Sequence, residues 1–161
     1  MNVLVIHGPN LHLLGRRKPG IYGKTTLAAL NSGIKNHAAG LGIKVRIFQS
    51  NCEGGIIDLL TAGSAWADAL VINPAAYTHY SYAIRDAIEA LNIPAVEVHL
   101  SDISKREPFR RISVIKPVCL AQFKGEGGIS YFKALGFCAA LKSGRTQIRV
   151  PRSLAKWKRM D

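Results

Sequence analysis

The chain has 161 residues and a net charge of +12, with 48% hydrophobic and 20% charged residues, the mix of one globular domain with a sizeable core. No apolar run reaches the roughly 18 residues of a membrane span, and Met1-Asn2-Val3 lacks the basic lead of a secretory signal. Cys52, Cys119 and Cys138 form no CxxC pair and the five histidines form no HxH or HxxxH pair, which argues for a reducing cytoplasm and against a metal site.

The chain opens with a short strand, Val3 to Ile6. Leu27, Leu30, Ile34 and Ala38 then recur at helical spacing, with Gly40 as a stop. Ile43, Val45 and Ile47 alternate with Lys44 and Arg46, a second strand, and Ile56, Ile57, Leu60 and Ala67 mark a second helix. Ala69 to Ile72 reads as a third strand. Ile84, Ala87, Ile88 and Leu91 form an amphipathic stripe, and Pro94 to Val98 a fourth strand. Val118 to Phe123 is the expected fifth strand and Ile129 to Leu141 the last helix; Cys119 and Cys138 sit in apolar surroundings as small core residues. Gly125 to Ser130, GEGGIS, is a poor dinucleotide fingerprint: Ser130 stands at the third glycine, and no acidic residue follows at the usual distance. It reads as a tight strand-to-helix turn. Residues 142–161 hold seven of the 22 Lys and Arg with one acidic residue, so 1–142 is the expected domain and 143–161 a basic extension. The extension carries no nucleic-acid-binding signature.

Five strands alternating with helices predict an α/β fold, a flavodoxin-like doubly wound five-stranded parallel sheet with helices on both faces. Ligands of such sheets bind beyond the carboxyl ends of the strands, at the point where strand order reverses. Three polar segments follow strands one, three and four: HGPNLHLLGRRKPGIYG (7–23), NPAAYTH (73–79) and EVHLSD (97–102). A sheet alone needs no such concentration of Asn, His, Glu and Ser at one edge.

Glu97 and His99 alternate on one strand, so their side chains share a face. A carboxylate beside an imidazole fixes its tautomer and makes a general acid, although a hydrogen-bonded structural histidine has the same spacing. Ser101 continues that face and can receive an anion. Arg17 near Tyr22 would favour a tyrosinate, on a loop able to close over a pocket; a solvated arginine and a packed tyrosine fit the spacing as well.

The segments GPNLHLLGRRKPGIYG, FQSNCEG, VINPAAYTHYSYAIRDAI and PAVEVHLSDISKREPFRRIS, in this order and spacing, closely resemble the type II 3-dehydroquinate dehydratases. The resemblance implies a cytoplasmic, flavodoxin-like enzyme, a dodecamer built from trimers, that removes water from 3-dehydroquinate without cofactor or metal, in the shikimate pathway or in quinate catabolism. By resemblance Tyr22 takes the C2 proton and Arg17 lowers its pKa. Asn10 holds a water on the enolate oxygen. His99, oriented by Glu97, protonates the departing hydroxyl. Asn73, His79 and Arg110 hold ring hydroxyls, Ser101 and the Leu100 amide bind the carboxylate, Arg106 supports the lid side, and Asp86 reaches a neighbouring subunit's site.

Five positions depart from the family's usual residues: His7 where Asn opens the first motif, Lys18 for an acid, Cys52 for His, Ala75 for Gly, and Asp102 for Asn. Ala75 is expected to crowd a turn whose backbone angles suit glycine. Asp102 is expected to add negative charge near the substrate carboxylate. Three other readings are weighed beside the dehydratase: altered activity on another cyclic hydroxy-acid, nucleic-acid contact through the basic tail, and a generic nucleotide binder, for which no phosphate cradle is visible.

Overall fold

The computed structural model describes residues 1–16 and 25–142. Five strands form one parallel sheet: β1 (Asn2–His7), β2 (Lys44–Gln49), β3 (Ala69–Asn73), β4 (Ala95–His99) and β5 (Ala121–Lys124), in the order β2-β1-β3-β4-β5. Four α-helices occur among the described residues: α1 (Leu27–Gly40), α2 (Glu53–Ser64), α3 (Tyr82–Ala90) and α4 (Ile129–Lys142). None is long and apolar enough to cross a membrane.

The two-residue period of β1 divides the core. Val3 and Val5 face one layer, with Leu30 and Ile34 of α1 and Tyr131, Leu135 and Cys138 of α4. Leu4 and Ile6 face the other, with Ile56 and Leu60 of α2 and Ile84 and Ile88 of α3. The central strands β1, β3 and β4 are covered on both faces and read as continuous apolar runs, as buried parallel strands do. Edge strand β2 keeps the alternating pattern, Lys44 and Arg46 exposed and Val45 and Ile47 half-buried. Helix starts follow side-chain capping: Thr26 accepts from Ala29 N at 3.2 Å and Ser81 from Ile84 N at 3.0 Å. The doubly wound architecture is thus the one expected.

Two local expectations need correction. The fifth strand spans Ala121–Lys124 rather than 118–123. Lys116–Val118 is a 3-10 turn containing Pro117, and Val118 and Cys119 are apolar because they plug the α2/α3 layer. Burial, not strand pairing, explains that part of the run. Helix α2 ends at Ser64, and Ala67 is buried in the turn beyond it. The GEGGIS segment is a strand-to-helix turn as expected, with Gly125 and Gly127 in left-handed conformations at φ 86 and 57.

Candidate active site

The ends of β1, β3 and β4 surround a cleft of about 240 Å³, the scale of a small-molecule site. Asn10, Asn73, His79, His99, Leu100, Ser101, Arg106 and Arg110 all line it. Arg17 and Tyr22, together with Lys18, lie outside the described residues. Asp86 is exposed on α3 and does not reach the cleft of its own chain.

The loops are held together by backbone contacts. Gly8 N donates to Asn73 O at 2.7 Å, and a Cβ at Gly8 would stand 2.6 Å from both C and O of Pro74, so only glycine permits this approach. Asn10 is left-handed at φ 66, a conformation Asn tolerates. Its N–H donates to Asn51 Oδ1 at 2.9 Å, which also accepts from Gln49 Nε2 at 2.9 Å. Ala75 occupies φ 53. The backbone conformation that favours glycine is present there, as expected, and is partly supported by the Ala75 N–H donating to Asn73 Oδ1 at 3.1 Å.

Glu97 is fully buried beneath the cleft. Its Oε1 accepts from His99 Nε2 at 2.8 Å, from Ser113 Oγ at 2.8 Å and from Thr78 Oγ1; its Oε2 accepts from Gln122 Nε2 at 2.7 Å. Burial pushes the Glu97 pKa up, but the hydrogen bond and charge of His99, with the two hydroxyls, outweigh it and hold it below the usual carboxylate range. The carboxylate is therefore ionised, and His99 Nε2 carries the proton donated to it. The other ring nitrogen, Nδ1, remains for the cleft. Thr78, Ser113 and Gln122 escaped the sequence reading; they come from separate segments that only the fold joins.

His79 donates from Nδ1 to the Ile112 carbonyl at 2.7 Å, which leaves Nε2 as an acceptor. Burial, with the positive neighbours His99 and Arg110, keeps its pKa below the ordinary histidine value, so the ring is neutral at pH 7. Arg106 reaches Ser101 Oγ at 3.4 Å and Glu107 at 3.2 Å. Arg110 stacks on Phe109, and its buried Nε has no hydrogen-bond partner among the described residues, with Glu107 Oε2 the counter-charge 3.4 Å away. Among the described residues, two guanidinium groups line the cleft, while the buried Glu97 carboxylate beneath it is saturated by donors. The cleft suits an anion.

The model of the class II dehydroquinase family matches residues 1–139. The chain belongs to that family. It is 50% identical to the 3-dehydroquinate dehydratase of Pelotomaculum thermopropionicum, over 88% of this chain and 98% of that protein. It is 53% identical to the 3-dehydroquinate dehydratase of Dictyoglomus turgidum, over 84% and 93% respectively. The crystal structure of the type II dehydroquinase from Butyrivibrio crossotus superposes with a TM-score of 0.83 at 45% identity, covering 85% of this chain and 96% of that one.

One departure from the usual dehydroquinase residues, Asp102, is explained by its surroundings. Asp102 does not line the cleft. Its Oδ1 accepts from Ser104 N at 3.0 Å and lies 3.6 Å from Lys124 Nζ, so the expected negative charge at the carboxylate end has its own partner. The hydrogen bonds from Ser104 and the charge of Lys124 keep its pKa low. Cys52 is exposed at the start of α2, where it contributes no side-chain cap.

Proposed function

We propose that this protein dehydrates 3-dehydroquinate to 3-dehydroshikimate through an enolate, without metal or cofactor. The observation that carries the reading is the Glu97–His99 pair on the cleft floor, with His99 Nδ1 left for the substrate. The substrate's C2 proton is acidic only because the adjacent ketone can become an enolate, so a base must meet C2 and a polar group the developing oxyanion. Tyr22, with Arg17 lowering its pKa, is assigned as base by family resemblance; Asn10 is assigned to hold the water at the enolate oxygen. The electron pair of the broken C2–H bond forms the C2–C3 double bond of the enolate, with the charge on the ketone oxygen; when the enolate collapses the ketone is restored, the C1–C2 double bond forms and the C1–O bond breaks. Hydroxide is a poor leaving group, so His99 donates its proton to that oxygen and water departs. Glu97 stabilises the imidazolium from which that proton is given. The proton left on Tyr22 and the one lost by His99 equilibrate through solvent, which closes the cycle.

Asn73, neutral His79 and Arg110 are assigned to the ring hydroxyls, and Ser101, the Leu100 amide and Arg106 to the carboxylate end. Residues 1–142 act as the catalytic unit and 143–161 as a basic appendage outside the chemistry. We place the enzyme in the cytoplasm as a dodecamer built from trimers, with Asp86 near a neighbouring subunit's cleft. The support for an interface is the exposure of Tyr80, Tyr82, Phe109 and Ile112, each 59–64% accessible, around α3 and the cleft rim. The same reaction serves shikimate synthesis or quinate breakdown.

The test is the rise of conjugated-enone absorbance when 3-dehydroquinate is added in the presence of a chelator. His99→Ala should reduce kcat by roughly 10²–10⁴-fold, the range of general acid catalysis, with little change in substrate affinity. A variant within a factor of a few of wild type would remove His99 from the acid role.

A further inference from the structure

The segment FQSNCEG (48–54), at the end of β2 and the start of α2, holds none of the residues assigned to the chemistry, yet it touches one of them. Asn51 does not line the cleft. Its Oδ1 accepts from the Asn10 N–H at 2.9 Å and from Gln49 Nε2 at 2.9 Å. Its backbone carbonyl accepts from the Tyr77 hydroxyl at 3.3 Å, in the segment after β3. The loop is tied to the end of β1 twice more: Ser50 N donates to His7 O at 3.0 Å, and Gln49 Nε2 donates to Gly8 O at 3.3 Å.

The two donors fix which way the Asn51 amide faces. A backbone N–H can only donate, so the atom opposite Asn10 N is the oxygen, and Gln49 Nε2 on the same atom agrees. Asn10 sits at φ 66, ψ 0, a left-handed conformation that a residue other than glycine keeps only when its surroundings hold it. Leu13 N donates to Asn10 O at 3.1 Å and so holds the carbonyl side of the residue, whereas Asn51 holds its N–H side. The angle φ is the rotation between those two sides, so it is pinned when both are held. A return to the ordinary φ near −63° would turn Cβ by roughly 130° relative to the preceding peptide and carry the side-chain amide away from the cleft that Asn10 lines.

We propose that Asn51 is a positioning residue for Asn10: its side-chain oxygen, braced by Gln49, holds Asn10 left-handed so that the Asn10 amide faces the place where the enolate oxygen develops. Asn51 touches no substrate and acts through Asn10. The end of β2 thereby contributes to a cleft otherwise built on the ends of β1, β3 and β4. The inference rests on the dehydratase reading for what Asn10 does, but not for how Asn10 is held.

Because Asn10 serves a charge that develops only after the ground state, losing its alignment lowers kcat and leaves KM nearly unchanged. Asn51→Ala should lower kcat about three- to tenfold, the worth of one hydrogen bond, with KM within about twofold. Asn51→Asp, which keeps an oxygen for both donors, should hold kcat within about twofold of wild type. There kcat is the deciding readout, because the added charge acts on the KM of an anionic substrate. In an Asn10→Gly background glycine keeps the left-handed backbone and no amide remains to be aimed, so Asn51→Ala should change kcat by less than about 1.5-fold. A crystal structure of Asn51→Ala should show Asn10 turned out of its left-handed conformation or in two conformers. An equal fall of kcat in both backgrounds, an Asn51→Asp enzyme as slow as Asn51→Ala, or Asn10 unmoved in that crystal structure would overturn the proposal. A wild-type enzyme inactive on 3-dehydroquinate, with Asn10 nonetheless released in Asn51→Ala, would sink the dehydratase reading and leave the positioning role standing.

Discussion

The imidazole of His7 should leave a measurable mark on stability against pH. It is fully buried, and both its nitrogens are engaged by neutral groups, Tyr131 and Asn31. Burial lowers its pKa from 6.5 to about 4. The sign follows directly. Between pH 6.5 and about 4 the unfolded chain binds a proton there that the folded chain refuses, so stability falls as pH falls. The slope is about 1.4 kcal/mol per pH unit, which accumulates to roughly 3 kcal/mol by pH 4 and vanishes above 6.5. His7→Leu removes this contribution. The variant should be less stable than wild type at pH 7.5, because the Tyr131 hydroxyl is left unpaired in the core at a cost of about 1–3 kcal/mol. On acidification the gap between the two proteins should narrow by about 2 kcal/mol between pH 6.5 and 5. His79, whose pKa is lowered chiefly by burial, and Glu97, whose carboxylate is held ionised, titrate in both proteins and cancel in the difference. Urea unfolding at several pH values and one fixed protomer concentration reads this gap. A gap that stays constant or widens as pH falls would refute a neutral, doubly hydrogen-bonded His7.

Glu97→Gln should cut kcat by about 10²-fold or more with little change in KM, because the amide nitrogen must face a donor at Ser113, His99 or Gln122 and the developing imidazolium loses its counter-charge; steady-state kinetics showing a loss of only a few-fold would dismiss the carboxylate as orienting group. Ala75→Gly should stabilise the fold by about 0.5–1 kcal/mol, since a left-handed alanine at φ 53 costs roughly 1–2 kcal/mol and the added freedom of glycine in the unfolded chain returns part of it. A melting temperature raised by about 1–4 °C is the expected reading, and a lowered one would contradict it.

The fold was legible where burial and periodicity coincide. The buried runs of β1, β3 and β4 and the stripe Ile84, Ile88 define the sheet and α3 without further information. The reading failed at Val118 and Cys119, where apolarity reports a buried turn that Pro117 starts and no strand follows until Ala121. In the site, Glu97 and His99 were legible because a strand's two-residue period is local. Gln122 was not, although it lies directly across the ladder from Glu97 in β5. Its role depends on register, which sequence alone leaves open. The partner of His7 is 124 residues away, so a residue that looks like a bare departure from a motif has no visible reason until α4 packs against β1.

These hidden partners follow one physical rule. A polar side chain in a sheet core costs free energy unless every donor and acceptor is met, so a cluster that survives there has few alternative arrangements. The cleft has such a cluster behind each of two neighbouring strand ends. Thr78, Ser113 and Gln122 fix the carboxylate that holds His99; Tyr131 and Asn31 engage both ring nitrogens of His7. In the first, the fully buried carboxylate does no chemistry itself but decides which atom of His99 faces the substrate. The two clusters should therefore fail differently. Loss of the first removes a proton donor's orientation and lowers kcat, whereas loss of the second leaves a buried hydroxyl unpaired and lowers stability. That division is a property of the buried hydrogen-bond directions, and it would be absent if either cluster served only to fill space.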